Sequence, residues 1–218
     1  NIVTVHDFGV VGGTRAFLVM ELLQGATLRQ ELRRTTRLLP SRACEILRGV
    51  SEAVEAAHRR QLIHRDLKPE NIFLTSTESG EVPKVLDFGV VKFLGPMTAT
   101  GASTQTLVGT GAGVLVGTLR YMAPEQLLGE APQPAWDLWA LAVVAYEMLT
   151  GAHPFAGAAS RAEWHRVVLA GRFTPLAAHL PTAPARWQEF FERAFSSDAK
   201  RRPQSARLFF SEFERAVG

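Results

Sequence analysis

Apolar positions near the start of the chain are arranged as in a β-hairpin. Residues 2–8 and 16–20 form two apolar runs rich in β-branched side chains, and Gly12 and Gly13 between them are typical turn residues. Because two strands alone are marginally stable in water, we expect this hairpin to belong to a larger sheet. Gly25 is expected to break the second strand, and residues 28–34 are expected to form a short polar helix.

A longer amphipathic helix is predicted from Pro40 to about Arg60, where apolar residues recur at helical spacing after an N-terminal proline. Cys44 lies within this pattern and is expected to be a small core residue, and as the single cysteine it excludes an internal disulfide. His58, close to the C-terminal end, is expected to partner free helix carbonyls.

The stretch from Trp136 to Thr150 is apolar on nearly every face, which predicts a helix buried all round, with Gly151 ending it. Asp137 is the exception, and a buried carboxylate needs hydrogen-bond partners. Three further helices are predicted at residues 159–170, 184–196 and 205–216.

A dense polar loop separates the two helical regions. Residues 64–71 read His-Arg-Asp-Leu-Lys-Pro-Glu-Asn, and strand-like runs follow at residues 72–74 and 84–86, with turn residues 76–83 between them. A solvated turn is one interpretation of such a loop. If the two runs pair as an antiparallel hairpin, however, Asn71 and Asp87 meet at one edge with Asp66 close by.

These side chains suit phosphoryl transfer. The amide oxygen of Asn71 and the carboxylate of Asp87 are hard ligands of the kind that Mg²⁺ prefers, with its other ligands taken from water and phosphate. Lys68 is able to neutralise a transferring phosphoryl group, and Asp66 is able to orient a hydroxyl and accept its proton.

Three motifs, in the right order, carry a resemblance to the eukaryotic-like (Hanks-type) protein kinases. Residues 64–71 resemble their catalytic loop, Asp87-Phe88-Gly89 resembles their metal-binding triplet, and Ala123-Pro124-Glu125 resembles the motif that closes their activation segment. The resemblance covers essentially the whole chain. It implies an α+β, protein-kinase-like fold with a nearly complete helical C-lobe and a remnant β-hairpin of the N-lobe.

On this resemblance, residues 1–25 are a partial N-lobe with its last two strands and the hinge. Residues 26–218 are the C-lobe, which includes an activation segment at residues 87–125. The motif Gly-Thr-Leu-Arg-Tyr-Met-Ala-Pro-Glu at residues 117–125 also looks bacterial in style.

The resemblance implies a serine/threonine protein kinase that uses ATP and Mg²⁺. Asp66 and Lys68 are then the catalytic pair, Asn71 and Asp87 are the metal ligands, and His64 is a buried spacer that packs near Phe88. Nucleotide contacts are expected from the hinge and its surroundings, namely Met20, Glu21, Leu23, Leu28 and Phe73. For Met20 and Leu22, an ordinary role in the core remains the alternative.

The implied activation segment includes a long stretch of low periodicity, residues 90–122. Arg65 resembles the arginine that receives an activation-loop phosphate, and Thr104 and Thr106 resemble phosphoacceptors, although solvated linker threonines are the alternative. Leu107-Val108-Gly109-Thr110 recurs at residues 115–118, which indicates an insertion or duplication. Thr118 keeps the family spacing to residues 123–125 and is expected to contact the catalytic aspartate and lysine. Together with Lys68 it favours Ser/Thr substrates over Tyr.

Three further residues are expected to hold the kinase-like fold together. Asp137 corresponds to the aspartate that holds the backbone of the catalytic loop, and Arg202 is expected to pair with Glu125. If that pair is buried, losing one partner costs ~3–5 kcal/mol; if it is exposed, the pair contributes under ~1 kcal/mol. Ala142 stands where the family usually has glycine.

Composition is that of an ordinary globular protein, with 218 residues, 46% hydrophobic and 21% charged. The net charge of +3 is mild and the arginines are scattered, so no nucleic-acid partner is expected. No segment reaches ~18 uninterrupted apolar residues, so no membrane span is predicted within the chain. We expect a cytoplasmic enzyme acting on Ser/Thr-containing proteins, and the sequence leaves its oligomeric state open.

The family's glycine-rich loop, strand lysine and helix glutamate have no counterpart in the sequence. The turn at Gly9 to Gly13 lacks the lysine that such a loop requires. We interpret the chain as a truncated kinase domain, either shortened experimentally or taken from an incomplete gene. The alternative is a non-catalytic pseudokinase or scaffold that binds a protein partner.

Overall fold

The computed structural model describes residues 1–12, 15–78, 80–88, 119–158 and 160–218. Within these ranges the chain forms two small antiparallel sheets near its N-terminal end and a helical body that contains most of the core. The α+β class predicted from the sequence is confirmed. None of the described helices is both long enough and apolar enough to cross a lipid bilayer.

The predicted N-terminal hairpin is confirmed. Strand β1 covers Val5–Val11 and strand β2 covers Arg15–Met20, and they pair antiparallel. Within the described ranges they pair only with each other, so the predicted larger sheet is not found. The apolar side chains of the hairpin are consequently exposed, with Phe8 at 66% of its full accessibility.

A second sheet has three strands, in the order β3, β4, β5: β3 is Gly25–Thr27, β4 is Ile72–Thr77 and β5 is Gly80–Val85. The predicted pairing of β4 with β5 is correct, but residues 76–83 are not all turn, because both strands extend well into that stretch. The predicted strand break at Gly25 is not observed, because β2 already ends at Met20 and Gly25 opens β3. A Cβ atom on Gly25 would lie 2.0 Å from the carbonyl oxygen of Leu74, so this close pairing requires glycine.

The first three residues run beside β5, a pairing that the sequence did not predict. The Val85 N–H donates to the carbonyl oxygen of Asn1 at 2.8 Å, and the Val3 N–H donates to the Val85 carbonyl oxygen at 3.1 Å. The Asn1 amide also donates to Glu52 Oε2 at 2.9 Å. Both edges of β5 are therefore paired at Val85, which joins the start of the chain to the second sheet.

The first two helices lie close to their predicted positions: α1 covers Leu28–Thr35 and α2 covers Pro40–His58. A capping box starts α1, because Thr27 Oγ1 accepts from the Gln30 N–H at 3.2 Å while the Thr27 N–H donates to Gln30 Oε1 at 2.8 Å. Cys44 is buried on α2, as predicted.

The C-terminal half is helical: α3 covers Pro124–Leu127, α4 Ala135–Thr150, α5 Arg161–Leu169, α6 Ala185–Ala194 and α7 Ala206–Val217. Every residue from Trp136 to Thr150 is buried, so α4 is the central helix of the body, as its composition predicted. Gly151, with φ at 75°, ends it in the left-handed conformation.

Aromatic rings pack around α4 and fix its surroundings. Trp139 stacks on Phe155 with ring centroids 5.6 Å apart and meets the edge of Phe195 at 5.2 Å. Two turns further along the helix, Tyr146 meets Phe191 edge to face at 5.4 Å. α4 is therefore a rigid base on which the polar loop of residues 64–71 rests.

Candidate active site

The carboxylate of Asp137, on the first turn of α4, holds the polar loop. It is 1% exposed, its Oδ2 accepts from the His64 N–H at 2.9 Å, and its Oδ1 accepts from the Arg65 N–H at 2.9 Å. The buried acid thus finds the partners that its environment requires. Both partners are backbone groups of the loop, so the position of the loop depends on this one side chain.

His58 is a further partner of Asp137, which corrects the prediction for this residue. Its Nε2 lies 2.7 Å from Asp137 Oδ2, so the ring is directed at α4 and not at free carbonyls of its own helix. The last turn of α2 is therefore joined to the same carboxylate as the loop.

Arg65 has an unusual backbone, with φ at 69°. For a residue other than glycine this conformation is strained and persists where its surroundings fix it. Here the Arg65 N–H is bound by Asp137, and the Arg65 carbonyl oxygen accepts from the Gln126 side chain at 3.4 Å. The four threonines that the sequence placed in the activation segment, namely Thr104, Thr106, Thr110 and Thr118, lie outside the described residues.

Asp66, Lys68 and Asn71 come together within the loop. Lys68 Nζ donates to Asp66 Oδ2 at 2.7 Å, and Asn71 Nδ2 donates to the Asp66 carbonyl oxygen at 2.8 Å and to Oδ2 at 3.3 Å. Because the amide nitrogen of Asn71 is used in this way, its carbonyl oxygen is directed elsewhere. The carboxylate of Asp66 is about one-third exposed, at 35%, and can be reached from solvent.

The hairpin of β4 and β5 brings Asp87 to the same place. Ile72 pairs with Val85, and the Leu86 N–H donates to the Asn71 carbonyl oxygen at 2.8 Å, so Asn71 lies beside the step from Leu86 to Asp87. Asp87 is exposed and has φ at 52°. In the described part of the chain, no group of three or more acidic, histidine or cysteine side chains is placed to hold a metal ion.

His64 and Phe88 fix the approach to this edge. His64 is buried, its Nε2 lies 2.8 Å from the Leu86 carbonyl oxygen, and its ring meets the Phe88 ring edge to face at a centroid distance of 4.8 Å. The packing of His64 near Phe88 that the sequence predicted is present. It joins the polar loop to the residues that follow β5.

The residues predicted to contact a nucleotide are divided by the structure. Met20 is exposed, and Glu21, Leu23 and Phe73 are half-buried, so all four have surface to offer a ligand. Leu28 is completely buried in the core at the start of α1, which contradicts its predicted contact with a nucleotide.

A polar cluster that the sequence did not predict lies behind the loop. Arg29 on α1 donates to Glu70 Oε1 at 2.8 Å, approaches Glu147 Oε2 at 3.4 Å and contacts the Tyr121 hydroxyl. The Tyr121 hydroxyl also donates to Glu147 Oε2 at 2.7 Å. Glu147 is the second acid of the apolar helix α4, so the signal that identified Asp137 could also have identified this residue.

Burial decides the charges in this cluster. It raises the pKa of the Glu147 carboxyl and of the Tyr121 hydroxyl above their ordinary values. Burial opposes the charge of Arg29, but Glu147, Tyr121 and Glu70 outweigh it and raise the pKa of the guanidinium. The permanent cation thus joins α1, the polar loop, α4 and Tyr121, which lies three residues before α3.

Glu125, on α3, forms a buried pair with Arg202. The guanidinium donates from both terminal nitrogens to the carboxylate, at 2.7 and 2.9 Å, and its Nε donates to the Ser196 carbonyl oxygen at 2.8 Å. The Cζ atom of Arg202 also lies 4.9 Å from the Trp139 ring centroid. Of the two alternatives left open by the sequence, the buried pair is the one observed.

His153 binds the chain just before α3. Its Nε2 lies 3.0 Å from the Arg120 carbonyl oxygen and its Nδ1 lies 3.2 Å from the Phe155 N–H, so one ring nitrogen donates and the other accepts. Burial, the nearby charge of Arg120 and the loss of the accepting nitrogen on protonation keep the ring neutral, and the pKa falls from 6.5 to about 3.

Comparison with known proteins matches residues 1–213 of this chain to the protein kinase domain model. The chain belongs to the protein kinase domain family. The resemblance carried by the three motifs is therefore confirmed across nearly the whole kinase domain described here.

Three curated relatives of this kinase domain come from bacteria. Serine/threonine-protein kinase PknA of Mycobacterium tuberculosis is 41% identical over 163 residues, covering 72% of this chain and 34% of the relative. Serine/threonine-protein kinase pkn2 of Myxococcus xanthus is 35% identical over 208 residues, covering 94% of this chain and 24% of the relative. The probable serine/threonine-protein kinase PknB of Bifidobacterium longum is 36% identical over 220 residues, covering 96% of this chain and 30% of the relative. The chain thus spans about a third or less of the length of these relatives.

Replacing Arg202 by methionine tests the buried pair of the kinase domain. The change leaves the Glu125 carboxylate buried without its cation, so we expect the free energy of unfolding to fall by ~3–5 kcal/mol. Urea denaturation followed by circular dichroism measures this. Arg34→Met, which breaks the pair between the exposed Arg34 and Glu31, is the control and should lower the free energy of unfolding far less. Equal losses in the two variants would contradict the account.

The pH dependence of stability tests His153. Because its folded pKa lies below its unfolded value, the unfolded chain binds the proton first, and stability should fall as pH drops from 6.5 towards about 3. Urea titrations at about pH 7.5 and about pH 5 should show the advantage of the wild type over His153→Gln shrinking at the lower pH. Since the glutamine does not titrate, an advantage that stays constant would refute the assignment.

Proposed function

We propose that this chain is the catalytic region of a serine/threonine protein kinase, which transfers the γ-phosphoryl group of ATP to serine or threonine hydroxyls of proteins. The observation that supports the proposal is the convergence of Asp66, Lys68 and Asn71 within one loop. The loop lies next to Asp87, and Asp137 binds its backbone. The names of the bacterial relatives support the same reaction and the same class of substrate.

Asp66 is the proposed proton acceptor. Its Oδ2 is reached by Lys68 and by Asn71, which fix the carboxylate while leaving about a third of it exposed to an incoming hydroxyl. A carboxylate within hydrogen-bond reach orients the hydroxyl oxygen towards the phosphorus atom and takes its proton as the new bond forms. Lys68 then contributes positive charge where the transferring phosphoryl group gathers negative charge.

Asn71 and Asp87 are the proposed ligands of Mg²⁺, and the residues present fit the ion. Asn71 donates its amide hydrogens to Asp66 and so keeps an oxygen for a metal, and Asp87 offers an exposed carboxylate one strand away. When bound, Mg²⁺ neutralises phosphate charge. Because two protein oxygens leave most of the coordination shell to other ligands, Mg²⁺ is expected to bind together with the nucleotide.

The proposed nucleotide contacts are Met20, Glu21, Leu23 and Phe73, with Leu28 omitted because of its burial. The proposed division of the chain assigns residues 1–25 to a partial N-lobe and residues 26–218 to the C-lobe, with residues 87–125 as the activation segment. Arg65 is the proposed receiver of a phosphate on one of the activation-segment threonines.

Autophosphorylation of the longest product of the gene tests the proposal. With radiolabelled ATP and Mg²⁺, we expect phosphate incorporation that Asp66→Asn lowers about a thousandfold, because the amide cannot accept the proton. Removing Mg²⁺ with EDTA should abolish it.

Asp198→Asn is the matched control for this experiment. Asp198 caps the turn at Ala199–Arg201 by accepting from the Lys200 N–H at 3.0 Å, a role that asparagine preserves. The control should retain wild-type incorporation. Equal incorporation by the wild type and Asp66→Asn would overturn the catalytic proposal and favour a non-catalytic scaffold.

A further inference from the structure

Residues 4–23 of the kinase domain are joined to the rest of the molecule by very few polar contacts. The chain is anchored just before them, where Val3 pairs with Val85, and just after them, where the Gln24 carbonyl oxygen accepts from the Ser76 N–H at 2.8 Å. Between these anchors, within the described ranges, the ion pair of Glu21 with Lys84 is the one polar contact that links the segment to another part of the chain.

Glu21 is held on both of its carboxylate oxygens. Oε2 accepts from Lys84 Nζ, and Oε1 accepts from the Thr4 N–H at 2.7 Å. The Glu21 N–H also donates to the Thr4 carbonyl oxygen at 3.0 Å. Both charged side chains are mostly covered, at 24% exposure for Glu21 and 22% for Lys84, so solvent screens this pair less than an open surface pair. Two hydrogen bonds lower the pKa of the Glu21 carboxyl: the one from Lys84 has the larger effect, and the one from the Thr4 N–H has the smaller.

Lys84 lies on the sheet face that carries Phe73. In the second sheet Thr27 is opposite Phe73, and Phe73 is opposite Lys84, so these three side chains share one face. Glu21 directly follows β2 and immediately precedes the exposed Leu22. The ion pair therefore spans the gap between residues 20–23 and the face of Phe73, which are the two surfaces assigned above to the nucleotide.

We propose that the Glu21–Lys84 ion pair is a positioning device that holds residues 20–23 at a fixed distance from the Phe73 face and so sets the width of the nucleotide site. The inference rests on the proposed function, because it deepens the assignment of that same site. Glu21 and Lys84 act here through the surfaces that they hold, and neither is a catalytic residue.

Steady-state kinetics of the intact protein tests this device. Initial rates of autophosphorylation are measured against ATP concentration for the wild type, Lys84→Met and Glu21→Gln. Lys84→Met should raise the KM for ATP about fivefold, as expected for the loss of a partly buried ion pair. The kcat should change by less than about twofold, because groups that act on the phosphoryl group are untouched. Glu21→Gln keeps an acceptor for the Thr4 N–H and should raise KM in the same direction.

Charge reversal separates positioning from a general loss of stability. The double variant Glu21→Lys with Lys84→Glu restores an ion pair in which the positions of the two charges are exchanged. Its KM for ATP should lie closer to the wild-type value than the KM of Glu21→Lys alone. Arg193→Met, which removes the ion pair with Glu212 between α6 and α7, is the matched control and should leave the KM unchanged.

Binding of Mg·ADP, measured by calorimetry on the same proteins, keeps this inference distinct from the proposed reaction. Weaker Mg·ADP binding in Lys84→Met would support the positioning role even if the wild type incorporated no phosphate. Unchanged KM and unchanged Mg·ADP affinity in both single variants would overturn it, as would a fall in kcat alone. A wild type that does not bind Mg·ADP would overturn the inference together with the nucleotide site.

Discussion

The kinase domain depends on one buried acid. Asp137 is buried in the first turn of the largely apolar helix α4, where a carboxylate without partners would cost several kcal/mol. It is satisfied by backbone N–H groups of His64 and Arg65 and by the ring of His58. The dependence is mutual. The Asp137 carboxylate is tolerated in the core only because the loop supplies its hydrogen-bond donors, and the loop keeps its conformation only because the carboxylate accepts those hydrogen bonds. The strained φ of Arg65 is one result of this mutual dependence.

The same principle recurs on the other side of α4. Glu125 and Arg202 satisfy each other in the core, and Arg29 satisfies Glu147 and Tyr121 where the helix passes behind the loop. His153 completes this arrangement by binding the Arg120 carbonyl oxygen. The contact of Arg29 with Glu147 joins α1 to α4 directly, whereas the Glu125–Arg202 pair reaches α4 through the packing of its guanidinium on Trp139. A site built in this way keeps its geometry because moving one segment leaves a buried charge or hydrogen-bonding group without a partner.

Local patterns in the sequence predicted much of this architecture, and long-range pairings account for what they missed. The two hairpins, the central helix and the need of Asp137 for partners follow from periodicity and from one acid in an apolar stretch. The pairing of residues 1–3 with β5, the short strand β3 and the contact of His58 with Asp137 join residues far apart in the chain, and no local pattern encodes them. Leu28 illustrates the opposite error, since its place near the hinge suggested a ligand contact while its side chain points into the core.

Hydrogen exchange of the loop amides in Asp137→Asn tests the central claim most directly. Asparagine keeps the size of the side chain but replaces one accepting oxygen with a donor, so it cannot accept from both loop N–H groups. The account predicts faster exchange of the His64 and Arg65 amides in the variant, with the amides in the middle of α2 unchanged. Exchange at His64 and Arg65 as slow as in the wild type would contradict the claim that this carboxylate holds the loop.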